Sequence, residues 1–93
     1  MPYISKDLRD KLDKDVESLI DKLNSEPEDV QDGELNYVVS RLLHGIYPLR
    51  YRHINRAVGV LECAKLEFYR KIAGPYEETA IEKNGDIPPQ RRV

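Results

Sequence analysis

The sequence predicts an all-α fold: a compact bundle of three main helices plus a short C-terminal helix, assembling as a homo-oligomer. Three observations carry this. Apolar residues recur at steps of three and four in three separate stretches, the helical period. Glycine and proline fall between or near the ends of those stretches, as helix punctuation. No stretch alternates apolar and polar residues with the period of a strand.

The first helix is expected from Ser5, a good N-cap, with Asp7 in the first turn where the helix dipole favours a carboxylate. Leu8, Leu12, Val16, Leu19, Ile20 and Leu23 form its apolar stripe. Its opposite, Asp/Lys/Glu-rich face reads as solvated, and Ser25-Glu26-Pro27-Glu28-Asp29 after Asn24 reads as an acidic loop. Asp32-Gly33 should precede a second helix of about residues 34–46, with Leu35, Val38, Leu42 and Ile46 on one side and Tyr37, Arg41 and His44 on the other. Gly45 and Pro48 should break it, leaving Tyr47-Pro48-Leu49-Arg50 as a turn.

The third and longest helix is expected over Tyr51–Ala73, closed by Gly74 and Pro75. Its main stripe is Ile54, Ala57, Val58, Leu61, Ala64, Phe68 and Ile72. A second line, Arg52, Arg56, Gly59, Cys63, Leu66 and Arg70, runs up the other side. Small and apolar residues on both sides call for two partners, the chain's own core and a second copy, with Cys63 at a packed face. An interior Gly59 costs about 1 kcal/mol against alanine and suggests close backbone approach. Lys65, near the core edge, should either snorkel or pair with Glu62. Pro75 can open a last short helix through Lys83, ended by Asn84-Gly85. Residues 1–87 are thus expected to form a single helical domain and 88–93 a flexible tail.

At 93 residues, with 40% hydrophobic and 34% charged residues, the chain has the composition of a soluble globular domain. Such a chain buries only about 60–65% of its unfolded surface, so it gains from oligomerising. No apolar run approaches the roughly 18–20 residues of a bilayer span, and charge follows Met1-Pro2-Tyr3-Ile4-Ser5 at once, unlike a signal peptide. The one cysteine excludes an internal disulfide and points to a reducing cytoplasm, the host cell's if the protein is viral.

The net charge of −2 conceals a strong asymmetry. Residues 1–34 hold five Lys/Arg against eleven Asp/Glu, whereas residues 35–74 hold seven against two. In that basic middle, Arg41, Arg50, Arg52, Arg56 and Arg70 are interleaved with tyrosines and with His44 and His53. Either the arginines neutralise the carboxylates of the first helix, or they await an anion from outside the chain.

Enzyme chemistry has little to stand on. His44, His53, Cys63, Glu62 and Glu67 make no HExxH, CxxC or Glu-x-x-His spacing, so no metal site is expected. Cys63 sits mid-helix without an adjacent histidine base. Glu62 and Glu67, five apart, do not share a helix face, and the glycines are scattered rather than gathered into a phosphate loop. Binding is the stronger class. If helices two and three pack as a hairpin, Tyr37, Arg41 and His44 lie at the turn end with Arg50, Tyr51 and Arg52. Arginine forks suit phosphates and tyrosine faces suit bases. A pI near 5.7, and no helix basic along its whole length, argue against long duplex DNA and for a small anionic ligand.

The run Gly33-Glu34-Leu35-Asn36-Tyr37-Val38-Val39-Ser40-Arg41-Leu42-Leu43, the run Gly59-Val60-Leu61-Glu62-Cys63-Ala64-Lys65-Leu66-Glu67-Phe68-Tyr69-Arg70, then Pro75-Tyr76-Glu77 and Asn84-Gly85-Asp86, resemble a small family found widely in bacteriophage and bacterial genomes. Met1-Pro2-Tyr3-Ile4 matches too, so the resemblance covers nearly all of residues 1–87. It extends to the phage anti-CBASS sponge proteins, non-catalytic oligomers that sequester the cyclic dinucleotide signals of bacterial antiviral defence. That resemblance implies an all-helical tetramer with ligand held between subunits and no cofactor. It assigns no contact residues.

The expected function is therefore sequestration, without cleavage, of a cyclic dinucleotide of the 3'3'-cGAMP kind in a cytoplasmic homo-oligomer. From the helical wheels, Arg41, Arg52 and Arg56 should neutralise phosphates with Arg50 and Arg70 in support. Tyr37 and Tyr51 should stack bases, and Asn55 or His44 should read a base edge or ribose. Two alternatives stay open: a phage-encoded inhibitor that docks on a protein, and a small nucleic-acid-binding regulator.

Overall fold

The computed structural model describes residues 2–88, and among them every regular element is helical. The helices are α1 (Lys6–Asn24), α2 (Glu28–Ile46), α3 (Tyr51–Phe68) and α4 (Gly74–Asn84). A π-helical turn, Tyr69–Ala73, joins α3 to α4 without a break, so there are three helices, the last a composite. Beyond Pro88, the expected tail lies outside the described residues. The chain divides into two units, Met1–Val60 and Leu61–Val93, with the division falling inside α3.

In the first unit, α1 begins at the expected place. Ser5 is extended at the N-cap, but its hydroxyl makes no capping bond. Arg9 instead ties the helix to the segment before it, its amide making the ordinary helical bond to Ser5 O at 3.0 Å and its Nε donating to Ile4 O at 2.9 Å. At the C-terminus, Leu23 O accepts from the Glu26 amide at 3.2 Å and also from Gln31 Nε2 of α2 at 3.1 Å. The second bond ties α2 to the end of α1 across their corner. Leu19 and Leu23 of α1 and Val38 of α2 are half-buried near this corner.

The start of α2 corrects the sequence expectation. The helix begins at Glu28, not near Glu34, so the end of the expected acidic loop, Glu28 and Asp29, is helical. Pro27 is the N-cap in an extended conformation, and Glu28 and Asp29 occupy the first turn, where carboxylates face the positive end of the dipole. Asp32-Gly33 lies inside the helix. Gly45 does not break α2 either. The stop comes from Pro48, which disfavours the α conformation for the residue before it: Tyr47 is extended, with φ −103° and ψ 121°.

The helical hairpin expected of α2 and α3 does not form within the chain. They are joined by the turn 47–50, whereas the helix packing of the first unit is that of α1 against α2. Among the described residues no side chain is fully buried, so one chain has no closed core. Cys63, expected at a packed face, is exposed, and a Cβ built on Gly59 meets open space. Neither residue is in close packing inside its own chain.

In the second unit, Gly74 and Pro75 were expected to end the helix, and they do not. Proline lacks an N–H and its ring crowds the carbonyl four residues back. The π turn relieves both effects by widening the helix: the Gly74 amide donates to Tyr69 O, five residues back. A Cβ on Gly74 would stand 3.3 Å from that same oxygen, which accounts for glycine there. Pro75 then occupies the first turn of α4. The helix ends as expected, with Gly85 as C-cap at φ +90°, a conformation open to glycine. Lys65 pairs with Glu62 at 3.0 Å, also as expected.

Candidate functional site

Unpaired cations gather where α2 turns into α3. Because Pro48 ends α2 one residue beyond Tyr47, that ring lies beside the first turns of α3. The guanidinium of Arg56 sits over it, 5.4 Å from the centroid. Arg56 NH1 also lies 2.8 Å from His53 Nδ1, and Arg52 NH2 lies 3.3 Å from His53 Nε2. A neutral imidazole has one acceptor nitrogen, so only one of these contacts is a hydrogen bond, and the shorter one, donated by Arg56, has the better length. His53 thus spaces two guanidiniums along one side of the helix. Tyr47 and His53 belong to the basic, aromatic middle of the sequence but are not among the expected ligand-binding residues; for His53 the signal is the spacing Arg52-His53-Arg56, which places all three on adjacent turns.

A second basic–aromatic pair stands on α2. Arg41 NH1 donates to the Tyr37 hydroxyl at 2.7 Å, and its guanidinium lies 5.7 Å from the ring centroid. This is the i,i+4 arrangement expected from the helical wheel. Tyr37 also lines an open groove of about 690 Å³ between α1 and α2, whose apolar walls include Leu19, Leu23, Val30 and Val38. Glu26, Asp29 and Glu34 also line it, and Glu34 Oε1 is shielded from solvent and has no hydrogen-bond partner.

The other expected residues divide clearly. His44, Tyr51 and Asn55 are exposed and make no side-chain hydrogen bond among the described residues, and the Arg50 side chain likewise projects from the turn. Arg70 belongs to the second unit, where its NH2 meets Glu67 Oε1 at 2.6 Å. It is already engaged by a carboxylate.

The electrostatic balance is unusual. Among the described residues, none of Arg41, Arg50, Arg52 and Arg56 forms an ion pair with a carboxylate, whereas Lys6 pairs with Asp10, Lys65 with Glu62 and Arg70 with Glu67. The arginines therefore do not neutralise the acids of α1 within the chain. The first turn of α3 holds no acidic residue, so its positive dipole end adds to the same field. This end of the first unit can accept an anion without displacing any internal carboxylate. No group of three or more metal-ligating side chains occurs among the described residues, and no helix among them is long and apolar enough to cross a membrane.

The one observation that places the chain among known proteins is a match over residues 1–87 to the family described as Domain of unknown function (DUF6899). The chain belongs to that family. The match begins at the first residue and runs through α4, so the cation cluster, the groove and the π turn all lie within the family domain. No curated protein and no solved structure matches the chain.

Proposed function

We propose that this DUF6899 protein is a non-enzymatic binding protein that sequesters a cyclic dinucleotide in the cytoplasm, as phage anti-CBASS sponges do, with ligand held where subunits meet. The observation that carries the reading is the set of arginines at the α2–α3 turn, held beside tyrosines and lacking any carboxylate partner. A cyclic dinucleotide presents two phosphates and two aromatic bases. Arg52 and Arg56 supply forked donors for phosphate, and Tyr37 and Tyr51 supply faces for stacking. Sequestration needs tight binding and slow release, and no catalytic group.

The test is thermal denaturation of the purified protein against a panel of cyclic di- and trinucleotides, with linear nucleotides as controls. Ligand at about a hundredfold over its dissociation constant adds roughly 2.7 kcal/mol, several degrees for a domain this size. One cyclic species should raise the midpoint selectively, and Arg52→Glu should abolish the rise while leaving the helical circular dichroism intact. A flat panel would overturn the reading. Affinity that grows with polymer length and falls steeply with salt would point instead to a nucleic-acid regulator.

A further inference from the structure

The structure points to a second copy of this chain as the occupant of the uncovered face of α1: we infer that two α1 helices pack antiparallel about a two-fold axis at Leu12. This goes beyond the nucleotide reading and stands without it. Leu8, Leu12, Val16 and Ile20 lie on one face of α1 and are 46%, 52%, 49% and 43% exposed. The face is continuous with Leu19 and Leu23, which are half-buried toward α2, so it is an extension of the existing packing rather than a separate patch.

The charges beside this stripe say which occupant fits. Arg9 and Lys11 flank it on the N-terminal side of Leu12, and Asp13 and Asp15 flank it on the C-terminal side. Arg9 and Asp13 share one flank; Lys11 and Asp15 share the other. None of the four is in an ion pair among the described residues, although each flank holds opposite charges at i,i+4. In an antiparallel pair each flank faces its own copy reversed, which sets Arg9 toward the partner's Asp13 and Lys11 toward the partner's Asp15. A parallel pair would set like charges together. The sign change at Leu12 makes the face complementary to itself in one orientation, the requirement of a two-fold interface. The apolar residues obey the same symmetry: Leu12 meets its own copy, and Leu8 meets the partner's Val16.

Cysteine crosslinking in a Cys63→Ser background tests the geometry, without nucleotide present. Leu12→Cys should oxidise to a covalent dimer alone. Leu8→Cys and Val16→Cys should each crosslink poorly alone and efficiently when mixed with one another. Self-crosslinking of Leu8→Cys or Val16→Cys as efficient as that of Leu12→Cys would overturn the orientation, and a native mass of one chain by light scattering would overturn the interface. A second measurement leaves the stripe intact. The double variants Arg9→Glu/Lys11→Glu and Asp13→Lys/Asp15→Lys should each have half the native mass or less, and equal mixing should restore it. Unchanged mass in either variant, or no recovery on mixing, also overturns the proposal. A chain that passes these tests but binds no cyclic dinucleotide would refute only the ligand reading; one that binds ligand but fails them would refute only this interface.

Discussion

The Tyr69 hydroxyl donates to Glu77 Oε2 at 2.8 Å across the π turn. That bond, then the negative charge of Glu77, raise the pKa of the phenol above its ordinary 10.0, because both favour the protonated form. A pKa raised in the folded state means the bond supports the fold below the unfolded pKa, and its contribution is lost as pH rises from about 10 through the folded value. A pH titration of tyrosinate absorbance should show one late-ionising tyrosine. Its disappearance in Tyr69→Phe, and its return toward the ordinary range in Glu77→Gln, would assign it. At the turn between α2 and α3 the equivalent question is what the planar guanidinium adds beyond charge. Arg56→Lys keeps the cation but loses the fork and its seat on the Tyr47 ring. Ligand affinity should fall about tenfold by calorimetry, the size of one lost charge-assisted hydrogen bond. An unchanged affinity would place the phosphate elsewhere.

Among the elements, glycines that look alike in the sequence behave differently. A Cβ on Gly33 meets open space within α2, so Gly33→Ala should stabilise the protein by about 0.5–1 kcal/mol, read as a raised denaturation midpoint. Gly74→Ala should show none of that gain, because its Cβ meets the carbonyl that accepts the π-turn bond. The contrast marks how far the helices were legible. The apolar stripes, the start of α1, the turn at Tyr47-Pro48 and the Gly85 cap all follow from short-range chemistry and appear where expected. The start of α2 was obscured because Pro27 and a cluster of acids are loop signals and helix-start signals alike, and only the chain after them decides. The joint at 69–73 was illegible for a different reason: Gly-Pro is a stop signal for an α-helix, and a π turn evades it by a change of hydrogen-bond register that no side-chain period records.

Across the whole molecule, the candidate site was legible in part. The i,i+4 pairing of Tyr37 with Arg41 and the clustering of Arg52 and Arg56 around His53 follow from helical geometry, while Tyr47 enters through the shape of the turn, which no wheel describes. The expected core was not found within one chain, since burial depends on partners that a sequence does not display. If assembly supplies that burial, the denaturation midpoint should rise with protein concentration, whereas a self-sufficient monomer would melt at a constant temperature. Glu28, Asp29, Asp32 and Glu34 occupy one end and Arg41 the other, with Arg50, Arg52 and Arg56 following in the turn and α3. Between Leu35 and Leu61 there is no acidic residue at all. The two charge blocks do not cancel through ion pairs within the chain. On ion-exchange resins near neutral pH and low salt, the protein should therefore be retained by the cation exchanger as well as the anion exchanger. A pI of 5.7 describes only the sum; a resin bead, like any charged surface in a cell, meets one end at a time.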